Sequence, residues 1–294
     1  MQESAPPNNQ FVVDLLTTLK KDRFSPSGWW HFLVRSWEMS CTTAKAHPKL
    51  KRSWSHTTLL MGIFTLLTLT GTFFAEGAGA MLRLLPGFVF CVAWQQSDLF
   101  WHLGLNRHIQ TGKLLQHIGI ANLLTGLRGL GASYLLGRLF GGLSTPSTLA
   151  LLVFLFGVVT DILDGQIARY TQTQSKLGRI ADAETDFCLY LALTIILIQN
   201  RVLPLWIGIV MLLRFCVPLI AALVSYFLFA QPVCFGSTVW GKYAGLAQSL
   251  YFLVLLAPPQ FAFIAHLLNL PLLVITLALL IVAPVAQILP HSPP

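Results

Sequence analysis

Residues 161–186 read DILDGQIARYTQTQSKLGRIADAETD, with aspartates at 161, 164, 182 and 186. They fall as Asp161-x2-Asp164-Gly165-x2-Ala168-Arg169, then eight residues, then Gly178-x3-Asp182-x3-Asp186. The flanking stretches are apolar and of membrane length, where a carboxylate is costly enough to mark function. At about 100° per residue, Asp161, Asp164, Gly165, Ala168 and Arg169 share one helical face. Gly178, Asp182 and Asp186 form an i, i+4, i+8 stripe on the next helix. A short basic loop joins the two helices, so they pack antiparallel, side by side. Small residues at 165, 168 and 178 let backbones, or a ligand, approach closely.

Composition gives the setting. The chain has 294 residues, 55% hydrophobic and 10% charged, where a soluble domain carries about 25% charged residues. Mean hydropathy is strongly positive. These values exclude an ordinary soluble domain and predict an all-α, polytopic integral membrane protein. The net charge of +8 does not point to nucleic acid, because eight of the 19 Lys and Arg lie in the first 52 residues. That clustering fits a cytoplasmic tail held near anionic membrane lipid. Cys41, Cys91, Cys188, Cys216 and Cys234 form no CxxC pair and read as packing residues. The first 25 residues hold only the brief apolar run FVVDLLTTL, so no cleavable signal peptide is expected.

Three regions follow along the chain. Residues 1–56 are basic, with GWWHFLVRSW from Gly28 to Trp37, a cytoplasmic or interfacial segment. Residues 57–110 hold two weak membrane segments. Thr57–Ala75 has 19 uncharged residues; Leu84–Ser97 has 14, short enough to be re-entrant or interfacial. Residues 111–290 hold six stronger segments, near 118–142, 148–170, 179–200, 202–230, 240–257 and 261–288. The aspartate loop carries Arg169, Lys176 and Arg179 and is expected to be cytoplasmic. The basic tail joins it there if both weak segments cross the membrane, or neither does. Eight spans are expected, and seven are excluded.

Four facing carboxylates repel one another unless cations lie between them. Hard oxygen ligands suit Mg²⁺, Mn²⁺ or Ca²⁺ rather than zinc. Such ions clamp phosphate oxygens during displacement at phosphorus, and Arg169 could hold one of those oxygens. Metal-dependent phosphoryl chemistry at a cytoplasmic membrane face is therefore one reading. A cation or proton pathway, as in an ion-coupled transporter, is the other.

The stretch resembles the signature of the CDP-alcohol phosphatidyltransferases, D-x2-D-G-x2-A-R-x8-G-x3-D-x3-D, at all eight specified positions. The resemblance favours transfer over an ion pathway, and the six-segment core resembles that family's six-helix membrane domain. It implies attack by an alcohol on the lipid-side phosphate of a CDP-linked donor such as CDP-diacylglycerol, with release of CMP. It implies that Asp161, Asp164, Asp182 and Asp186 hold two divalent ions, Mg²⁺ or Mn²⁺. Asp186 would also be the general base on the acceptor hydroxyl. Asp161, Gly165, Ala168, Arg169 and Gly178 would serve the CDP donor. A homodimer in the cell (inner) membrane, acting in phospholipid biosynthesis, belongs to the same expectation. Glu184 lies about 200° around the helix from Asp182 and is expected to face away, as an ion-pair partner or oligomer contact.

The acceptor is less sharply marked. Asn122-x2-Thr125-x2-Arg128 resembles the start of the first core helix in phosphatidylglycerophosphate synthases. Arg214 inside the fourth core segment resembles an arginine of that subfamily, with pairing to an aspartate as the alternative. Gly241-Lys242-x5-Gln248 resembles its G-K-x-K-T-x2-Q stretch. Asn122, Thr125, Arg128, Arg214 and Lys242 are thus the candidate acceptor or phosphate ligands. Ala244, Gly245, Ala183 and Phe187 depart from the subfamily pattern, and two of those changes remove positive charge. The acceptor is therefore a small alcohol such as glycerol 3-phosphate, or a phospholipid such as phosphatidylglycerol. Inositol- and serine-type acceptors stay open.

Overall fold

Each of the six stronger segments forms a helix in the computed structural model, which describes residues 7–229 and 239–288. Ten α-helices and no strand occur among the described residues. They are α1 (Pro7–Lys21), α2 (Pro26–Ala46), α3 (Pro48–Glu76), α4 (Ala78–Trp101), α5 (Ile120–Phe140), α6 (Ser147–Tyr170), α7 (Lys176–Gln199), α8 (Leu205–Phe229), α9 (Val239–Leu255) and α10 (Ala262–Ile288). Cys234, expected to be a packing residue, lies outside the described residues; Cys41, Cys91, Cys188 and Cys216 are free thiols.

Local signals explain several boundaries. Ser25 caps α2 by accepting a hydrogen bond from the Gly28 N–H at 3.1 Å, with Pro26 in the first turn. Ser175 caps α7 in the same way through Gly178, at 3.0 Å. A single residue, Gly77, separates α3 from α4, at φ +87°, a conformation that favours glycine. The stretch Leu84–Ser97, expected as a short span or a re-entrant or interfacial segment, is part of a longer helix. It lies within the continuous 24-residue α4, and that helix is long and apolar enough to span. So are α3, α6 and the stretch Pro259–Ala283 that contains most of α10. Many large apolar side chains face outward, among them Leu66, Phe74, Phe90, Leu152, Phe263 and Ile281. That pattern fits lipid contact.

α5 is the hub, touching α3, α4, α6 and α7, while α8 packs on α7 and α10, and α10 on α9. One apolar core unites the six C-terminal helices through Leu135, Phe154, Leu193, Met211, Phe252 and Leu280. A second core joins α3 and α4 to α5 through Met61, Leu84, Phe88 and Leu130. Close approach of α4 and α5 depends on Gly137, where an added Cβ would lie 2.8 Å from the Phe88 backbone nitrogen. At the far end of α5 the buried Arg138 makes a bidentate pair with Glu76 (2.5 and 3.0 Å) and donates to the Ser144 carbonyl at 2.5 Å. Its remaining bond goes to the Tyr134 hydroxyl at 3.2 Å. The weak N-terminal segments are therefore built into the core.

Candidate functional site

The helical phase read from the sequence is realised in space. Asp161 on α6 meets Asp182 and Asp186 on α7, and one oxygen from each lies within 4.8 Å of the others. Asp164 sits apart from this trio. It is buried, and accepts a hydrogen bond from Thr125 Oγ1 on α5 at 2.8 Å. Thr125 and Arg128 share a face of α5, and Arg128 reaches into the centre. Its guanidinium, 1% exposed, lies 2.6 Å from Asp161 and 3.4 Å from each of Asp164 and Asp186, and also pairs with Asp182. The cation that the carboxylates require is thus partly supplied by the chain itself. One guanidinium against four carboxylates still leaves a strongly negative cluster.

That cluster fits a divalent ion. Its donors are hard carboxylate oxygens, and three of them converge within the reach of one cation. Asp161 is exposed, while Asp182 and Asp186 are half-buried, so the cluster opens on one side.

The residues expected to serve the CDP donor lie around it. Arg169 is exposed and folds back over Gly165, where an added Cβ would lie 3.4 Å from the guanidinium. At Gly178 a Cβ would come within 2.7 Å of Asn122 Oδ1, so α5 and α7 meet there only because residue 178 has no side chain. Gly157, one turn before Asp161, gives similar room to Leu189 and the Arg128 stem. Ala168 is half-buried on the aspartate face of α6.

The candidate acceptor residues separate into two groups. Thr125 and Arg128 join the aspartates, and Asn122 lies against Gly178, one turn before Asp182. Arg214 on α8 stands close enough to Asp186 for their charges to interact. Among the described residues it makes no carboxylate pair, donating instead to Gln248 Oε1 at 3.1 Å. Its guanidinium lies 4.9 Å from the Phe215 ring centre and 6.0 Å from that of Tyr190. Gly245 makes space for it, since a Cβ there would lie 2.7 Å from Nη2. Phe187 packs on Phe215 at 5.8 Å, giving this flank an aromatic wall. Lys242 is exposed near the start of α9.

Glu184 faces away from the trio, as its phase predicts, and lies beside Asp98 and His102 at the end of α4. Asp98 and His102 pair at 3.1 Å. Burial opposes charge on His102, yet the hydrogen bond that its Nδ1–H donates to Asp98 and the charges of Asp98 and Glu184 outweigh it and raise its pKa above the ordinary imidazole value. Sequence reading did not assign this cluster. Nor did it find the segment after α4 that ties down the aspartate loop. The Ile109 N–H donates to the Gln174 carbonyl at 3.0 Å, and the Lys176 N–H to the Arg107 carbonyl at 3.1 Å. Buried Asn106 holds that segment through Leu115 and His117. An apolar cavity of about 440 Å³ opens elsewhere, lined by Leu151, Leu253, Phe261 and Leu268.

Comparison with known proteins bears on the same region. A stretch of 110 residues is 34% identical to a cardiolipin synthase (CMP-forming) of Streptomyces coelicolor, covering 36% of this chain and 49% of that protein. The chain thus spans about half the length of that relative. No solved structure matches the chain. The family model for CDP-alcohol phosphatidyltransferase matches residues 118–282, more than half of the 294, and takes in α5 through most of α10 with all four aspartates. The chain belongs to the CDP-alcohol phosphatidyltransferase family.

Proposed function

We propose that the protein is an integral membrane transferase that moves a phosphatidyl group from CDP-diacylglycerol, or a similar CDP-linked lipid, to an alcohol. The observation that carries this reading is the convergence of Asp161, Asp182 and Asp186 on two facing helices, with the family's spacing around them. Asp161, Asp164, Asp182 and Asp186 would hold two Mg²⁺ or Mn²⁺ ions. When bound, these offset the charge of the donor diphosphate. Asp186 takes the proton of the acceptor hydroxyl. The freed oxygen attacks the lipid-side phosphorus, and the bond to the CMP oxygen breaks, so CMP leaves with the electron pair. Gly165, Ala168 and Gly178 leave room for the cytidine, and exposed Arg169 holds a diphosphate oxygen.

For the acceptor, two glycerol-type readings compete. The resemblance of Asn122, Thr125 and Arg128 to phosphatidylglycerophosphate synthases favours glycerol 3-phosphate. The geometry favours phosphatidylglycerol. Arg128 is committed to the aspartates, which leaves Arg214 as the second cation near Asp186, and an aromatic wall flanks it. A single guanidinium in an aromatic setting suits a singly charged phosphodiester better than a doubly charged phosphomonoester. The similarity to a cardiolipin synthase agrees.

We place the aspartate end at the cytoplasmic face of the cell membrane, because Arg169, Lys176 and Arg179 lie there with the basic N-terminal region. Residues 111–290 form the catalytic six-helix unit, residues 57–110 two further spans, and residues 1–56 a cytoplasmic or interfacial region. The test gives purified protein CDP-diacylglycerol, Mn²⁺ or Mg²⁺, and separately phosphatidylglycerol, glycerol 3-phosphate, inositol, inositol phosphate or serine. CMP release with phosphatidylglycerol is expected. Release with glycerol 3-phosphate alone would select the other acceptor. No CMP with any acceptor, together with ion flux in proteoliposomes, would replace the transferase reading by a transporter.

A further inference from the structure

Helix α2 lies wholly outside the family match, which begins at residue 118, and its surface divides into three faces. The first is packed on the protein. Ser40 donates to the Trp101 carbonyl at 2.5 Å, and Trp101 Nε1 donates to Ser36 Oγ at 2.6 Å. On the same side Trp29 and Phe32 touch Phe227 of α8, with ring centres 5.0 and 6.0 Å apart. The second face is polar and exposed, and carries His31, Arg35, Glu38 and Lys45. Between the two runs an apolar stripe at i, i+3, i+4 and i+7, formed by Trp30 (66% exposed), Leu33, Val34 and Trp37 (41% exposed). Three faces at this spacing are what helical phase gives for a helix half-seated on protein.

We propose that this stripe inserts into the headgroup region of an anionic leaflet, making α2 an interfacial helix fixed to the transmembrane bundle. Position argues for a lipid occupant. Only His47 separates α2 from α3, a helix long and apolar enough to span, so the stripe lies beside the level at which the bilayer begins. Charge argues for the sign of the lipid. Lys45, Lys49, Lys51 and Arg52 crowd the α2–α3 junction, all exposed, and Lys20, Lys21, Arg23 and Arg35 add to them. Basic side chains near an anionic surface draw the segment that carries them toward it. The stripe itself is suited to the interface, where tryptophan settles with its ring among the headgroups. Trp37 is already oriented, its ring 5.2 Å from Phe100 and 5.8 Å from Trp101. The ordering cost of docking has thus been met in part by folding.

The test uses the full chain, with native cysteines replaced, in nanodiscs of phosphatidylcholine with or without phosphatidic acid. A nitroxide is attached at Leu33→Cys in one sample and at Glu38→Cys in another. Collision with oxygen, which partitions into lipid, is compared with collision with a water-soluble nickel chelate. The expected result is a label at 33 favouring oxygen several-fold and a label at 38 favouring nickel. The contrast should grow with phosphatidic acid and shrink in high salt. A label at 33 as open to nickel as the one at 38 would overturn the proposal. So would a label shielded from both reagents, which would mean a protein partner or a second copy. Equal insertion in discs without phosphatidic acid would overturn the anionic specificity. CMP release is measured on the same samples. If it persists while the label at 33 lies in water, the docking proposal fails and the transferase reading stands.

Discussion

At the scale of single residues, Arg128 matters most. A guanidinium is always charged and presents donors in a fixed fork, so it can serve several carboxylates where an ammonium serves fewer. Burying it among four aspartates is favourable only while they remain ionised around it. Removing it leaves carboxylates facing one another at short range. The variant Arg128→Gln should therefore lower the melting temperature measured in EDTA, by the equivalent of about 2 kcal/mol once solvent at Asp161 and Asp182 is allowed for. Mn²⁺ should recover more stability in the variant than in the parent. Equal melting of both proteins in EDTA would mean that the pairs contribute nothing. Asp186→Asn tests a different role. Its amide cannot take a proton, so CMP release should fall by about 10²–10⁴-fold, while binding of the CDP donor, followed by calorimetry, is largely kept. An active variant would remove Asp186 from the base role. The aspartate stripes were legible because helical phase is a property of one helix at a time. The place of Arg128 was not, because it depends on how α5 is rotated against the α6–α7 pair.

At the scale of elements, the junction of α4 with α5 and α7 decides whether the N-terminal helices belong to the enzyme. Two features hold it. Gly137 allows backbone contact with Phe88, and a leucine there would force the helices apart. Gly137→Leu should cost about 1–3 kcal/mol, the usual penalty for overfilling a packed contact, read as a lower melting temperature. An unchanged melt would mean that the close approach adds nothing. The second feature is the imidazolium of His102, paired with Asp98, which itself meets Glu184 of α7. Its pKa is raised in the folded chain, so its contribution is complete below the unfolded value, about 6.5, and is lost as pH rises through the folded value. Between pH 6 and pH 9 the native protein should lose melting temperature that His102→Gln does not lose. Parallel curves would exclude His102 as the source. The extents of α3 and α4 were only half legible from composition. Arg83 and Asp98 interrupt the uncharged run of α4 but not its helix, because backbone hydrogen bonding continues past both.

At the scale of the whole molecule, chain direction ties the two ends of the bundle together. α3 and α4 form an antiparallel pair around Gly77, so if one crosses the bilayer the other returns, which would put residues 7–56 on the same side as the α6–α7 loop. The contacts agree with that sense. The segment 106–117 binds the aspartate loop at one end of α5, while Glu76, beside the Gly77 turn, pairs with Arg138 at the other. The bilayer adds the charge argument, because basic segments stay on the cytoplasmic side. Single cysteines at Lys20 and Gln172 should therefore resist a membrane-impermeant maleimide in intact cells and react after permeabilisation. A cysteine at Gly79, just past the turn, should react from outside. If Lys20→Cys reacted in intact cells while Gln172→Cys did not, only one of α3 and α4 would cross. The close seating of α3 on α4 would then have to form between a span and a helix outside the bilayer. The Met61–Phe88–Leu130 core argues against that, because its apolar contacts run from α3 through α4 to α5 within one layer.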